Sequence, residues 1–377
     1  MQTFLEETLI ALKKEFIDIS TLTLILPSKR AGGFLKNILR NNTTHTIFAP
    51  KIISIEEFIE ELSDLKIVDP TELLFKSYKI YLASSSNEEK EDFETYASWA
   101  AILLNDFNEI DRYLIDPKPF FNYLISIQDI NHWYLQDQKT PLVENYLKFW
   151  NTLHEFYENL KQSLLSEKIG YQGMVYRKAV EDIEFYCNNY GENKHVLIGF
   201  NALNNAEQHI FQELLETQNT KVYWDIDAQF YTDDKHGASL FIRKYVKEWK
   251  YYQTHTPQFL GSHFNGQKKF KFVEVQKNIG QAKYVGELLS KFSQEELSKT
   301  AIVLADEKLL IPILHSLPKN IDSVNITMGV SLKAFPITTF FEQLLSLHIF
   351  SRQTFYYKEV LAILNHPMVL SNLPESQ

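Results

Sequence analysis

The chain has one cysteine in 377 residues, Cys187. That excludes an internal disulfide framework and a zinc site built from several thiolates, and it fits a reducing compartment. Cys187 reads as a small buried core residue. The first residues, Met1-Gln2-Thr3-Phe4-Leu5-Glu6-Glu7, lack the basic start and apolar stretch of a secretory leader. No later run approaches the roughly 18 apolar residues that span a bilayer. A cytoplasmic protein without membrane contact is the expectation. No G-x-x-x-x-G-K-[ST] loop is present to cradle phosphates; Gly32-Gly33 follows an apolar run, but no lysine and hydroxyl pair comes after it. None of the 11 histidines forms an H-x₃₋₅-H pair with acids nearby, and no G-x-S-x-G elbow occurs. No cofactor, no metal and no complete catalytic centre are expected.

What is present is a chain rich in core-forming residues, 45% apolar and 14% aromatic, long enough for two or three domains. Its 48 acids against 38 bases leave a net charge of −10. Such a surface is not a polyanion-binding face as a whole, although a local basic groove is compatible with it.

Leu5, Leu9, Leu12 and Phe16 share one face of an opening helix. A strand follows at Leu22 to Leu26, ended by Pro27, and a helix from Lys29 to Arg40. A second strand, about Thr46 to Ile53, meets Ser54-Ile55-Glu56-Glu57, a capping box that predicts a helix from Ile55. The chain then reads as helix to about Tyr190, with Phe93, Tyr96, Ala100, Leu103, Phe107 and Ile110 along one face. Strand patterns return at His195 to Ile198 and Lys221 to Asp225, with a helix around Ala206 to Leu215 between them, the spacing of a parallel βαβ crossover. After a polar connection around Gly261 to Gly266, strands are expected at Phe270 to Val275 and Thr300 to Leu304, with helices at Gly280 to Phe292 and Asp306 to His315. The tail reads as helix at Ile337 to Phe350 and Tyr356 to Leu364. One open α/β sheet interrupted by a helical subdomain accounts for the layout.

Val196-Leu197-Ile198-Gly199-Phe200-Asn201 carries the main chemical signal. Three apolar residues run into a strand end where nucleotide hydrolases hold an acidic pair on magnesium, and here Gly199 and Phe200 stand there. Further on, Thr300 to Lys308 delivers an Asp-x-Lys tripeptide. Asp306 and Lys308 would serve a metal-dependent nuclease only with a second carboxylate, and the preceding strand pattern offers Glu274 alone. The simpler reading makes Asp306 a helix N-cap. Arg243, Lys247 and Lys250 form a cationic stripe on an amphipathic helix over Leu240 to Tyr251, read first as a solvated face. Lys29, Arg30 and Lys51 follow strand ends, where ligands of open α/β sheets collect, and are candidates for phosphate contact. Phe200 and Trp224 read as core aromatics before they read as base-stacking platforms.

Several strings together resemble one family, the inactivated superfamily I helicase region of AddB-type proteins, in a branch common in Bacteroidetes that carries a PD-(D/E)XK nuclease at its C-terminus. Leu24-Ile25-Leu26-Pro27-Ser28-Lys29-Arg30-Ala31 resembles helicase motif Ia, and Ala49-Pro50-Lys51-Ile52-Ile53-Ser54-Ile55-Glu56-Glu57-Phe58 is similar to motif Ib. Gly199, Phe200, Asn201 and Gln208 occupy the place of a degenerate motif II. Further matches run in order through Val222 to Asp227, Ile279 to Ala282, Leu304 to Glu307 and Asn325 to Gly329. Gly329-Val330-Ser331-Leu332 departs from the pattern, lacking an aromatic-proline pair after the glycine.

The resemblance implies a RecA-like open parallel sheet without a phosphate loop. Residues 1–54 plus 191–262 would form subdomain 1A, 55–190 a helical 1B-like insertion, 265–335 the start of a second α/β domain, and 336–377 the helical start of a 2B-like region. It also implies that this is the N-terminal portion of a longer nuclease. Its role would be a non-catalytic DNA-binding scaffold in double-strand break repair, working with an AddA-type helicase-nuclease subunit. Ser28, Lys29, Arg30, Lys51 and Ser54 would contact single-stranded DNA or a duplex end. A protein-interaction scaffold that never touches DNA, and an active nuclease using Asp306 and Lys308, are the alternatives.

Overall fold

The computed structural model describes residues 3–43, 48–83, 90–133, 141–217, 219–349 and 354–370, without side chains at 128–133, 141–151 and 334. Thr46 and Phe350, placed above in a strand and a helix, lie outside the described residues. The chain divides into two compact units, Met1–Gln267 and Lys268–Gln377.

The first unit is built on a four-stranded, all-parallel sheet of β1 (Leu22–Leu26), β2 (Lys51–Ser54), β5 (Lys194–Ile198) and β6 (Thr220–Tyr223), in the order β2-β1-β5-β6. Side chains alternate between the two faces, as the pleat requires. Leu22, Leu24 and Leu26 of β1, with Ile52, Val196, Ile198 and Tyr223, face a layer made of α1 (Phe4–Glu15) and α2 (Lys29–Asn41) through Leu9, Leu12, Leu35 and Leu39. Ile25 and Leu197 face the other way, onto α3 (Ile55–Ser63), α8 (Gln172–Tyr190) and α9 (Asn205–Glu216). Burying such an aliphatic side chain contributes about 1.5–3 kcal/mol, so both faces of the sheet stabilise the unit.

Between α3 and α8 run α4 (Pro70–Ala83), α5 (Phe93–Arg112), α6 (Pro117–Trp133) and α7 (Pro141–Ser166), with a core of their own around Tyr96, Phe107, Tyr157 and Leu160. The expected helical insertion thus feeds two cores: its first and last helices pack on the sheet, and only the four between them form a separate layer. Two short strands, β3 (Lys66–Ile67) and β4 (Ile169–Gly170), pair in parallel within it. Asp111 is fully buried there. Its carboxylate accepts from Tyr157 Oη, Tyr171 Oη and Arg177 Nε, each at 2.5 Å, and Arg177 also donates to the carbonyls of Ile110 (3.0 Å) and Ile115 (2.7 Å). Burial, reinforced by Asp111, raises Tyr171 well above the usual phenol range. After β6 come α10 (Ala228–Thr232) and α11 (Leu240–Glu248), which closes the sheet core with Ile242 and Tyr245.

The second unit contains α12 (Lys277–Ser290), α13 (Gln294–Ser298), α14 (Leu310–Ser316), α15 (Pro336–Ile349), α16 (Tyr357–Leu364) and α17 (Pro367–Leu370). It corrects one expectation. Neither 270–275 nor 300–304 is a strand, and no strand occurs among this unit's described residues. Both stretches lack a neighbour to complete a hydrogen-bonded ladder, and their apolar side chains stand in solvent: Phe272 is 93% and Val303 90% exposed. The helices pack on each other instead, α12 against α14, where Gly286 lies so close to the Ser316 carbonyl that a Cβ would sit 2.0 Å from its oxygen. The expected second α/β layer over 265–335 is therefore absent from the described residues.

Candidate nucleic-acid interface

In the order β2-β1-β5-β6 the chain leaves β1 toward one edge and β5 toward the other, so the winding reverses between β1 and β5. Ligands of open α/β sheets bind at the carboxyl ends of the strands beside such a reversal. Two segments flank it: Pro27-Ser28-Lys29-Arg30, which leads into α2, and Gly199-Phe200-Asn201, which leads toward α9.

Ser28 is the N-cap of α2, its hydroxyl accepting from Ala31 N at 3.2 Å. That sets Lys29 and Arg30 in the exposed first turn. Lys29 is 70% exposed, with its ammonium 3.4 Å from Glu57. The Arg30 guanidinium lies over the ring of Phe34, 6.0 Å from its centroid. Ser54 ends β2 level with Leu26 and is buried in a capping box: its hydroxyl takes the Glu57 N–H at 3.3 Å, and Glu57 takes the Ser54 N–H at 2.9 Å. The Ser54 backbone N–H, with the Ser54 hydroxyl and Lys29 in support, holds the Glu57 carboxylate below its ordinary range. Ser54 therefore positions the edge and is closed to a ligand.

Lys51 is a correction. It begins β2, in one row with Thr23, His195 and Thr220, at the amino side of the sheet. Three residues of strand, roughly 10 Å, separate it from the carboxyl edge. Its ammonium is held by Glu61 at 2.5 Å. The structure brings Ser28, Lys29, Arg30 and Ser54 to one edge and leaves Lys51 at the other. Lys51 opens β2, which ends at Ser54, so it stands at the start of the strand and does not follow its end.

Gly199 has φ +75°, in the left-handed region where a side chain is strained, and a Cβ would lie 3.3 Å from the Phe4 ring. Its N–H donates to the Tyr223 carbonyl at 2.9 Å. Phe200 turns inward and packs edge-on against Phe211 at 4.9 Å. Asn201 is exposed, and Gln208 donates to the Leu203 carbonyl at 3.0 Å. Trp224 is 1% exposed and donates to Tyr252 Oη at 2.8 Å. Phe200 and Trp224 are core residues, out of reach as stacking platforms.

The edge is electrostatically divided. On the β6 side, burial and the nearby Glu7 raise the Asp225 carboxyl, while Glu7 is bonded to His263 at 2.6 Å. On the β1 side α2 is itself positive, carrying Lys29, Arg30, Lys36 and Arg40 and no acid in 13 residues, with Glu57 beside Lys29. Lys36 and Arg40 are basic residues of this face that were not among the expected contacts, and Phe34, which the periodicity places with the apolar residues of the helix, is half-exposed. The signal lay in the composition of α2 against a chain with a net charge of −10. Gly33 sits on this face with nothing within 4 Å of where its Cβ would be. A glycine inside a helix costs about 0.5–1 kcal/mol relative to alanine, and no packing here accounts for it.

Other expected features fall elsewhere. Arg243 on α11 donates to the carbonyls of Phe230 (3.1 Å), Asp233 (2.8 Å), Asp234 (3.2 Å) and His236 (2.8 Å), which makes it a staple for the preceding loop. Lys250 pairs with Glu216 at 3.0 Å. Asp306 caps a short 3₁₀ turn by accepting from Lys308 N at 3.0 Å. Half-buried Cys187 has its thiol pushed up to about 11 by burial and lines a cavity of about 380 Å³ with Glu184 and Glu213. Among the described residues no helix is long and apolar enough to cross a membrane. No family model matches the chain, and no curated protein matches it.

Proposed function

We propose that this chain is a non-catalytic DNA-binding scaffold, the inactivated helicase-like module of an AddB-type end-processing nuclease. In this reading the parallel sheet is RecA-like, with its motif II degenerated to Gly199-Phe200, and the full-length protein supplies a PD-(D/E)XK nuclease. It works in the cytoplasm with an AddA-type partner in double-strand break repair. The chain itself hydrolyses nothing and holds one strand by its backbone. The observation that carries the reading is the pair Lys29 and Arg30, presented by the Ser28 cap at the carboxyl edge beside the winding reversal. Cations there contact phosphates without reading sequence.

The test is a titration of fluorescently labelled single-stranded DNA onto the chain and onto a Lys29→Ala/Arg30→Ala variant. The wild type should bind, and the double variant should bind at least about tenfold more weakly, from two lost phosphate contacts. Equal binding by both would sink the assignment of these residues.

A second reading, a protein-interaction scaffold that does not bind DNA, is favoured by the apolar surface of the second unit, where Phe272, Val303 and Ile349 are 93%, 90% and 72% exposed. Absence of DNA binding by the wild type would decide for it. The nuclease reading has no comparable support, since Asp306 is engaged by its own turn.

A further inference from the structure

The outer face of α2 is unusual in two independent ways: its charge, and a glycine that packing does not require. On a helix the surface neighbours of a residue lie three and four positions away. For Gly33 these are Lys29, Arg30, Lys36 and Asn37, three cations and an amide, all exposed. Arg40 extends the stripe one turn further, and Phe34 borders it, 52% exposed with Arg30 over its ring. Gly32, next to it in sequence, has a reason to be small, because a Cβ there would meet Ile52 at 3.4 Å. Gly33 faces open space. A glycine at a position where alanine would make a better helix lets a ligand approach the backbone closely.

We infer that the exposed face of α2 is a seat for the backbone of single-stranded nucleic acid, with Gly33 as its floor, Lys29, Arg30 and Lys36 as phosphate contacts, and Phe34 as a platform for one base. This deepens the DNA-binding reading and rests on it. It moves the bound strand from the crevice between β1 and β5 onto the flank of α2, away from Glu7 and Asp225, whose carboxyls lie toward β6. The occupant follows from the chemistry of the face. Phosphodiesters supply the negative charge that the four basic residues of α2 attract, even with Glu57 3.4 Å from Lys29, and unstacked bases supply a flat apolar surface for Phe34. A folded acidic protein would match the charge but has no need of a bare helix floor.

The test uses the whole chain, a labelled oligothymidine as probe, and three variants: Gly33→Ala, Lys36→Glu and Phe34→Ala. Gly33→Ala is the decisive one, because it improves the helix, so its melting temperature should hold or rise. Its affinity should nonetheless fall at least about fivefold as the methyl lifts the strand off the backbone. Lys36→Glu should weaken binding and flatten its salt dependence by about one to two contacts. Phe34→Ala should cost about fivefold or more, the range of one lost stacking contact. If Gly33→Ala and Lys36→Glu bind like the wild type while Lys29→Ala/Arg30→Ala does not, the seat on α2 is wrong and the DNA-binding reading stands. A wild type that does not bind overturns both.

Discussion

His195 stands on β5 with its Nε2 atom 2.8 Å from the Tyr186 hydroxyl, almost out of contact with water. Burial outweighs the hydrogen bond it makes to the Asn193 backbone, the Lys51 ammonium adds repulsion, and the imidazole is pushed down to about 4 from an ordinary 6.5. The unfolded chain therefore binds this proton at a higher pH than the folded chain does. The stability held by neutral His195 is complete above about pH 6.5 and is lost progressively down to about pH 4. The loss is bounded by about 3 kcal/mol. Urea denaturation across that range should show a smaller acid loss in His195→Gln than in the wild type, and identical slopes would contradict the assignment. Gly199 makes a second prediction at this scale. Alanine there must hold a left-handed conformation and press on Phe4, so Gly199→Ala should cost about 1–2 kcal/mol, read as a lower urea midpoint. An unchanged midpoint would mean that the loop relaxes freely.

Among the elements, α5, α7 and α8 are tied through Asp111, which accepts from two tyrosines and an arginine contributed from beyond its own helix. Asp111→Ala would leave Arg177, whose side chain is only 15% exposed, without its counter-charge. The expected loss is about 3–5 kcal/mol in chemical denaturation, and a loss under about 1 kcal/mol would show the cluster to be incidental. This cluster was invisible in the sequence because its members lie 46 to 66 residues from Asp111. Local signals were legible. Leu22 to Leu26 ended by proline gave β1 with both of its bounds, and Ser54 with Glu57 gave the capping box that the structure contains. The basic first turn of α2 was legible too, since its cap, Ser28, is the adjacent residue. Pairing was legible only where a helix of crossover length separates two strands, as in the parallel pair β5 and β6. Phe270 to Val275 and Thr300 to Leu304 have the composition of strands, yet a strand exists only with a neighbour, and composition says nothing about the neighbour. Lys51 was misplaced because β2 starts with it and ends at Ser54, and the apolar residues Ile52 and Ile53 that follow Lys51 belong to the strand and not to what comes after it.

For the whole molecule, charge and apolar surface are unevenly distributed. The −10 chain gathers its acid-free basic segment on α2, in the first unit, while the second unit leaves Phe272, Val303, Ile349 and Tyr357 largely uncovered. A dye that fluoresces on exposed apolar surface should bind the folded chain, and Phe272→Ser/Val303→Ser should reduce the signal without changing helix content; an unaltered signal would place the apolar surface elsewhere. The central claim, that a folded α/β unit holds nucleic acid by its phosphates, is tested most directly by the salt dependence of wild-type binding to single-stranded DNA. Three phosphate contacts predict that the logarithm of affinity falls against the logarithm of salt with a slope of about −2. A flat response, or no binding at low salt with Lys29, Arg30 and Lys36 intact, would contradict it.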